Sequence, residues 1–438
     1  MPVDFSSIAS RRDFLKHSSL AAAAGMMLPN LAHGQTESTE KSDKPFRVAA
    51  ICTVMFYRSH AHVILENFLQ DYIFNGKRTS PGMEVVALYF DQRQPNDIVD
   101  AVLEKFPIPV YKTAGEALCQ GGDKLAVDAV LNIGEHGNYA ENHIGQYMYP
   151  RKRLFDEAVA VMKRSNKFVP LFNDKYLAFN WEDAKEMYDT SKKYGFSLMA
   201  GSSVPLAERR PPLELEPGLE ITEAVSIHPG GVESYDFHGL EVLQAMIESR
   251  KGGETGVSKV EFLEADALMQ AAEEGRWDYN LALDAMEADL GYRPKKGELA
   301  LRYGILVHYK DGLKATVISV PEIEWGFACR IKGEPEAQKT SFHVGPWQNR
   351  NLFKALSHAI QYSFKHNESP YPVERTLLTT GILDALMHSR HYKKPWDTPH
   401  LEFSYQAKDY KAMREMGESW KILTEDIPEP PLISPIEF

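Results

Sequence analysis

The sequence predicts an α/β protein: a Rossmann-like, doubly wound parallel sheet domain followed by an α+β domain with a mostly antiparallel open sheet. Three observations predict it. From residue 46 short apolar runs alternate with segments of helical spacing, the rhythm of strand–helix–strand units. The proline-rich segment 205–217 (PLAERRPPLELEP) breaks that rhythm. Beyond it strand-like runs follow one another directly, with Lys310-Asp311-Gly312 as a hairpin turn.

In chain order, Val48 to Ile51 reads as a buried strand, His62 to Phe74 as a helix, and Glu84 to Phe90 as a second strand ending at Asp91. A helix over 96–105, a short strand at Val110-Tyr111 and the strand Val127 to Ile133 follow. Next come the helix Arg153 to Arg164, a strand at Lys167 to Leu171, the helix Trp181 to Tyr194 and a strand at Ser197 to Ala200. In the second half strands are expected at 259–263, 299–309, 314–321 and 326–332, and a long helix at 373–390 after Pro370-Tyr371-Pro372. The proline-rich tail 426–438 is expected to drape over the surface. Parallel sheets of this kind place ligands at the carboxyl ends of their strands.

A chain of 438 residues is long enough for two cores. Its formal charge of -12 and pI near 5.7 argue against a nucleic-acid or anionic-membrane surface. The run Arg151-Lys152-Arg153 reads as a solvated helix start. Three widely spaced cysteines, Cys52, Cys119 and Cys329, signal neither a disulfide set nor a thiolate zinc site.

Near the start, Ser10 to Lys16 (SRRDFLK) is a twin-arginine run, followed by an Ala-rich apolar segment and the small-residue site Ala32-His33-Gly34. The apolar segment is too short to span a bilayer, so an export signal and a periplasmic or other extracytoplasmic location are expected. The expected division is a signal peptide over 1–34, a linker over 35–45, domains over 46–203 and 204–400, and a C-terminal extension over 401–438.

The stretch KFVPLFNDKYLAFNWEDAKEMYDTSKKYGFSLMAG resembles the Gfo/Idh/MocA oxidoreductases, with Asp174-Lys175-Tyr176 standing where that family has Glu-Lys-Pro. GGVESYDFHGLEVLQAMI is similar to the family's glycine-pair and histidine helix, with His238 on the family histidine, Ser234 on its first aspartate and Glu241 on its second acidic position. The resemblance covers roughly residues 47–400. It implies a sugar or polyol substrate and NAD or NADP as cofactor, held near Cys52, Thr53, Tyr57, Asp91, Glu135, His136 and Asp174. The family's three glycines fall at Cys52, Val54 and Tyr57, and none is glycine. Those glycines permit the tight turn, the close approach of the pyrophosphate and the packing of helix on strand. The segment NYAENHIGQYMYPRKR is a further departure, longer than the family connection.

By the resemblance Lys175 sits between cofactor and substrate, where an ammonium polarises a hydroxyl or carbonyl. His238 and Glu241 are three apart on a helix and share a face, and the histidine suits proton abstraction. Lys175, His238 and Glu241 are therefore the catalytic candidates. Asp91 stands where a ribose carboxylate is found, or caps the next segment. His228, Glu233, Asp236 and His238, with Glu135, His136, Glu141 and His143, offer nitrogen and oxygen donors to a divalent metal, although no fixed spacing such as HExxH supports a site. Trp277, Trp325 and Trp347 serve either as core or as faces for a sugar.

Three readings stand: an exported oxidoreductase of a sugar or polyol hydroxyl with a tightly held nicotinamide cofactor; a cofactor-free, metal-assisted lyase, isomerase or hydrolase; and a carbohydrate-binding protein on a degenerate scaffold. The partner is a small carbohydrate or polyol, and the second domain's sheet offers a face for self-association.

Overall fold

The computed structural model describes residues 44–434. The twin-arginine run, the signal peptide, most of the linker and residues 435–438 lie outside the described residues. The described residues from Pro45 onward form one compact unit.

The first layer is a six-stranded parallel sheet: β1 (Arg47–Cys52), β2 (Glu84–Phe90), β3 (Val110–Tyr111), β4 (Ala129–Ile133), β5 (Leu171–Asp174) and β6 (Leu198–Gly201), in the order β3-β2-β1-β4-β5-β6. That is the doubly wound order of dinucleotide-binding folds. Alternation along β1 explains the layering: Val48, Ala50 and Cys52 face α1 (His60–Leu69), while Ala49 and Ile51 face α3 (Ala114–Cys119) and α4 (Arg151–Ser165). The remaining helices of this half are α2 (Val99–Lys105) and α5 (Trp181–Tyr194).

Two of the differences from expectation have plain local reasons. The first helix ends at Leu69, and Tyr72–Phe74 pairs with Lys77–Thr79 as a hairpin. Asn75-Gly76 makes its turn, both residues at positive φ (47° and 71°), a turn signal that outweighs helical spacing. The fifth strand begins at Leu171, not Lys167. Pro170 has no N–H to give the ladder, although its carbonyl accepts the amide of Val130, so pairing with β4 starts one residue later.

The second layer is an eight-stranded sheet. Its strands are β7 (Glu208–Arg210), β8 (Ile221–His228), β9 (Val257–Glu264), β10 (Tyr303–Tyr309), β11 (Lys314–Ser319), β12 (Gly326–Ile331), β13 (Gln338–His343) and β14 (Trp396–Asp397), in the order β14-β9-β10-β11-β8-β12-β13-β7. All pairs are antiparallel except β8 with β11. One face packs α6 (Ser234–Ile247); the other carries α7 (Ala265–Glu273) and α8 (Tyr279–Leu290). Val225 and Ile227 of β8 are buried with Leu281 and Ala285 of α8, so the face expected for self-association is covered there. The long helices α9 (Asn349–His366) and α10 (Val373–Tyr392) return to the first layer, α9 on α1 and α10 between α5 and α6. Among the described residues no helix is long and apolar enough to cross a membrane.

Gly239 sets how closely α6 lies on the sheet. A Cβ there would stand 2.7 Å from Val317 Cγ1 and 2.9 Å from His228 Cδ2. Gly239→Ala gains about 1 kcal/mol of helix propensity but meets an overpacking cost of about 1–3 kcal/mol. The expected outcome is a lower urea midpoint at unchanged slope; a higher midpoint would show that the contact is slack.

Candidate active site

The carboxyl ends of β4 and β5 carry the charged residues that the sequence singled out. Glu135 follows β4, and Lys175 follows β5 with φ at 62°. Lys175 Nζ lies 2.8 Å from Glu135 Oε1 and donates to Ser234 Oγ at 3.0 Å, joining the first sheet to the first residue of α6. Glu135 Oε2 pairs with the Arg151 guanidinium. Burial alone would raise the Glu135 carboxyl, but Lys175 and then Arg151 outweigh it and hold the group well below the usual carboxylate range. Arg151 is fully buried, its guanidinium 4.0 Å from the Tyr176 ring centroid, and is not the solvated helix start expected from the basic run. Its Nε donates to the Asp174 carbonyl at 3.1 Å, tying the same two strand ends together.

His60, which the sequence reading placed outside its candidates, completes this edge. Its Nδ1 lies 2.7 Å from Asp174 Oδ2, and its ring packs edge-on against His136 and Phe353, with centroids 5.0 and 4.6 Å away. No local pattern announces the dyad, because its partners are 114 residues apart. His136 takes φ at 69°, and burial and the neighbouring His60 depress it to about 4.

From the second layer, His238 sits one turn after Ser234 and places Nδ1 2.6 Å from Ser202 Oγ. Burial, then the neighbouring Lys175 and His60, push its pKa well below the ordinary value. Trp325 stands edge-on to His238 at 5.6 Å and stacks on the exposed ring of Tyr235 at 5.8 Å. Trp277 and Trp347 lie elsewhere, each buried and donating to a carbonyl. Glu241 faces the seam with α10, accepting from Thr379 Oγ1 at 2.7 Å; burial raises its pKa. Its other oxygen accepts the Ser202 amide at 3.4 Å, so it braces the residue whose hydroxyl orients His238.

The metal-donor candidates separate. His228 Nε2 and Tyr303 Oη both lie 3.0 Å from Asp236 Oδ1, and Asp236 Oδ2 accepts the Glu233 amide as part of the α6 cap. Glu233 takes the Tyr147 amide and the Tyr176 hydroxyl, and burial lifts its carboxyl to about 7. His143 packs on His391, and Glu141 bridges to Tyr147. Among the described residues no three His, Cys, Asp or Glu side chains gather as a metal-holding group.

The first βα turn does not offer a pyrophosphate its usual seat. Cys52 is fully buried and its thiol is raised by burial; Thr53 Oγ1 is spent on the Glu135 carbonyl at 2.6 Å. Amides that would face a phosphate are taken internally: Phe56 N donates to Ser59 Oγ at 3.1 Å and Arg58 N to His62 Nδ1 at 2.8 Å. Tyr57 Oη donates to Glu429 at 2.8 Å. Asp91 accepts from Tyr89 at 2.6 Å and Arg153 at 2.5 Å on one oxygen, and from Tyr139 at 2.7 Å on the other. Those donors overcome its desolvation and lower its pKa, and they take most of the acceptor positions of the carboxylate within the chain.

No family model and no curated protein sequence matches the chain. Among solved structures, an oxidoreductase from Agrobacterium radiobacter in complex with NAD+, L-tartaric acid and magnesium is similar in fold, with a TM-score of 0.51 and 14% identity over 81% of this chain and 98% of that one. Apo scyllo-inositol dehydrogenase from Lactobacillus casei gives 0.49 at 10% identity over 81% and 98%, and myo-inositol 2-dehydrogenase from Lactobacillus plantarum 0.49 at 12% over 81% and 99%. The chain thus has the two-layer fold of an NAD+-complexed oxidoreductase, and the likeness to Gfo/Idh/MocA proteins rests on fold alone.

Folded His238 stays neutral while the unfolded side chain protonates below about 6.5, so the native state loses stability as pH falls through that value. We expect the His238 ring resonances to stay unshifted between about pH 5.5 and 8; a titration midpoint near 6.5 would contradict the site's electrostatics.

Proposed function

We propose that the protein is an acid–base enzyme acting on a carbonyl-bearing sugar or polyol derivative, at the seam between the β4–β5 edge and the first turns of α6. One observation carries the reading: Lys175 and His60 both act electrostatically on His238, and the two imidazoles are each oriented through Nδ1, His60 by Asp174 and His238 by Ser202. Neutral His238 suits removal of a proton from the carbon next to the carbonyl. The C–H electron pair moves onto the carbonyl oxygen, where Lys175 meets the developing charge. Return of a proton from protonated His60 to the opposite face of the same carbon, as the electron pair moves back from the oxygen, gives the epimer; departure of a leaving group with its bonding pair from the next carbon, as the enolate pair forms the C=C bond, gives elimination instead. The Trp325–Tyr235 stack suits the apolar face of a sugar ring. Export by the twin-arginine route belongs to the same proposal, supported by residues 10–34.

A second reading, hydride exchange between a sugar or polyol hydroxyl and NAD or NADP, is favoured by the NAD+ complex of the same fold. It requires the phosphate seat to open. The two are separated by incubating keto-sugars and uronates in D2O with protein freed of small molecules. Deuterium should enter the carbon next to the carbonyl without added dinucleotide, and His60→Gln and His238→Gln should each slow exchange by about 10²–10⁴-fold. Exchange or turnover that begins only on adding NAD or NADP would overturn the first reading in favour of the second.

A further inference from the structure

The chain's own C-terminal segment also lies against the turn after β1. Glu429 is held by three side chains around the N-terminus of α1: its Oε1 accepts from Tyr57 Oη at 2.8 Å, Arg58 Nε at 3.2 Å and Arg350 Nη1 at 3.3 Å, and its Oε2 pairs with Arg58 Nη2. The site is built rather than incidental. Arg350 is 2% exposed and is fixed from below by Glu66 of α1 at 2.6 Å. The same guanidinium donates to the carbonyls of Pro430 and of Leu432, the latter at 3.0 Å. The segment is strapped on both sides: Trp347 Nε1 donates to the Ile427 carbonyl at 3.0 Å, Lys105 Nζ to Ile433 at 2.6 Å and Gln70 Nε2 to Ser434 at 3.0 Å. Ile433 is itself buried.

In this fold the turn after β1 and the N-terminus of the following helix are where a dinucleotide's diphosphate rests. Two guanidiniums and a phenol converging there on a carboxylate are chemically an anion site. We propose that Glu429 is the resident anion of this site, that the docked segment 427–434 excludes a dinucleotide's diphosphate, and that removing the Glu429 charge exposes an anion site formed by Tyr57, Arg58 and Arg350. The site would take a diphosphate ester, with inorganic pyrophosphate as its minimal probe. This inference stands on the geometry of the turn and does not depend on the acid–base reading.

The test is calorimetric titration of full-length protein with inorganic pyrophosphate at low salt, with NAD+ titrated in parallel. Glu429→Gln should bind pyrophosphate at least tenfold more tightly than the unmodified chain, and adding Arg58→Met should abolish the gain. In the unmodified protein, saturating pyrophosphate should speed amide hydrogen exchange across 427–434, which reads competition for the seat without any variant. A gain for pyrophosphate alone identifies a general anion site, and a gain for both identifies a dinucleotide seat. Affinities within twofold for the unmodified chain and Glu429→Gln, with tail exchange unchanged by pyrophosphate, would overturn the proposal.

Discussion

The site is organised by one buried carboxylate between two buried cations, Glu135 between Lys175 and Arg151, none of them more than 4% exposed. Burying three charges costs several kcal/mol per ion, so the arrangement persists only because each charge is met by opposite charge and by hydrogen bonds. Its consequences spread outward. Arg151 clamps the ends of β4 and β5, Lys175 reaches across to the start of α6, and the positive charge of Lys175 helps keep His238 neutral. Removing Glu135 would leave Lys175 and Arg151 as buried cations without the carboxylate that pairs them both. The triad is therefore a constraint on the whole site and weak evidence for stability in its own right.

The seam between the layers is polar where it meets the site and apolar behind it. Ser202, Ser234, Thr376 and Thr379 supply short hydroxyls that orient His238, meet Lys175 and line Glu241. Beyond them α6 and α10 join one continuous core with β8 and α9. Arg375 and Glu248 fasten that core through a second buried pair, 2.9 Å from Arg375 Nε to Glu248 Oε2. Such a division lets a rigid scaffold hold a small number of polar groups in fixed orientations, the requirement for proton transfer between positioned side chains.

Much of this was legible in the sequence, and the illegible parts share a cause. The strand–helix rhythm, the hairpin at Lys310-Asp311-Gly312 and the long helix from Val373 follow from local pattern; placing Lys175 and His238 in one site was implied only by the family resemblance. Pro170 and Asn75-Gly76 were visible but were outweighed by apolar spacing. Arg151 looked like a surface residue because its partners, Glu135 and the Tyr176 ring, meet it only in the fold. His60 with Asp174, and Glu429 with Arg58, lie 114 and 371 residues apart in the chain. No periodicity encodes pairs of that separation. The missing glycines did carry information: they marked the turn that the tail occupies.

On the proposed reading, the doubly wound fold is kept while segment 427–434 fills the turn where a dinucleotide's diphosphate would rest. Native mass spectrometry of the purified full-length protein, before and after incubation with millimolar NAD+ or NADP+, tests this. The expected spectrum is dominated by the mass of the protein alone under all three conditions. A stoichiometric dinucleotide adduct, whether carried through purification or formed on incubation, would contradict it.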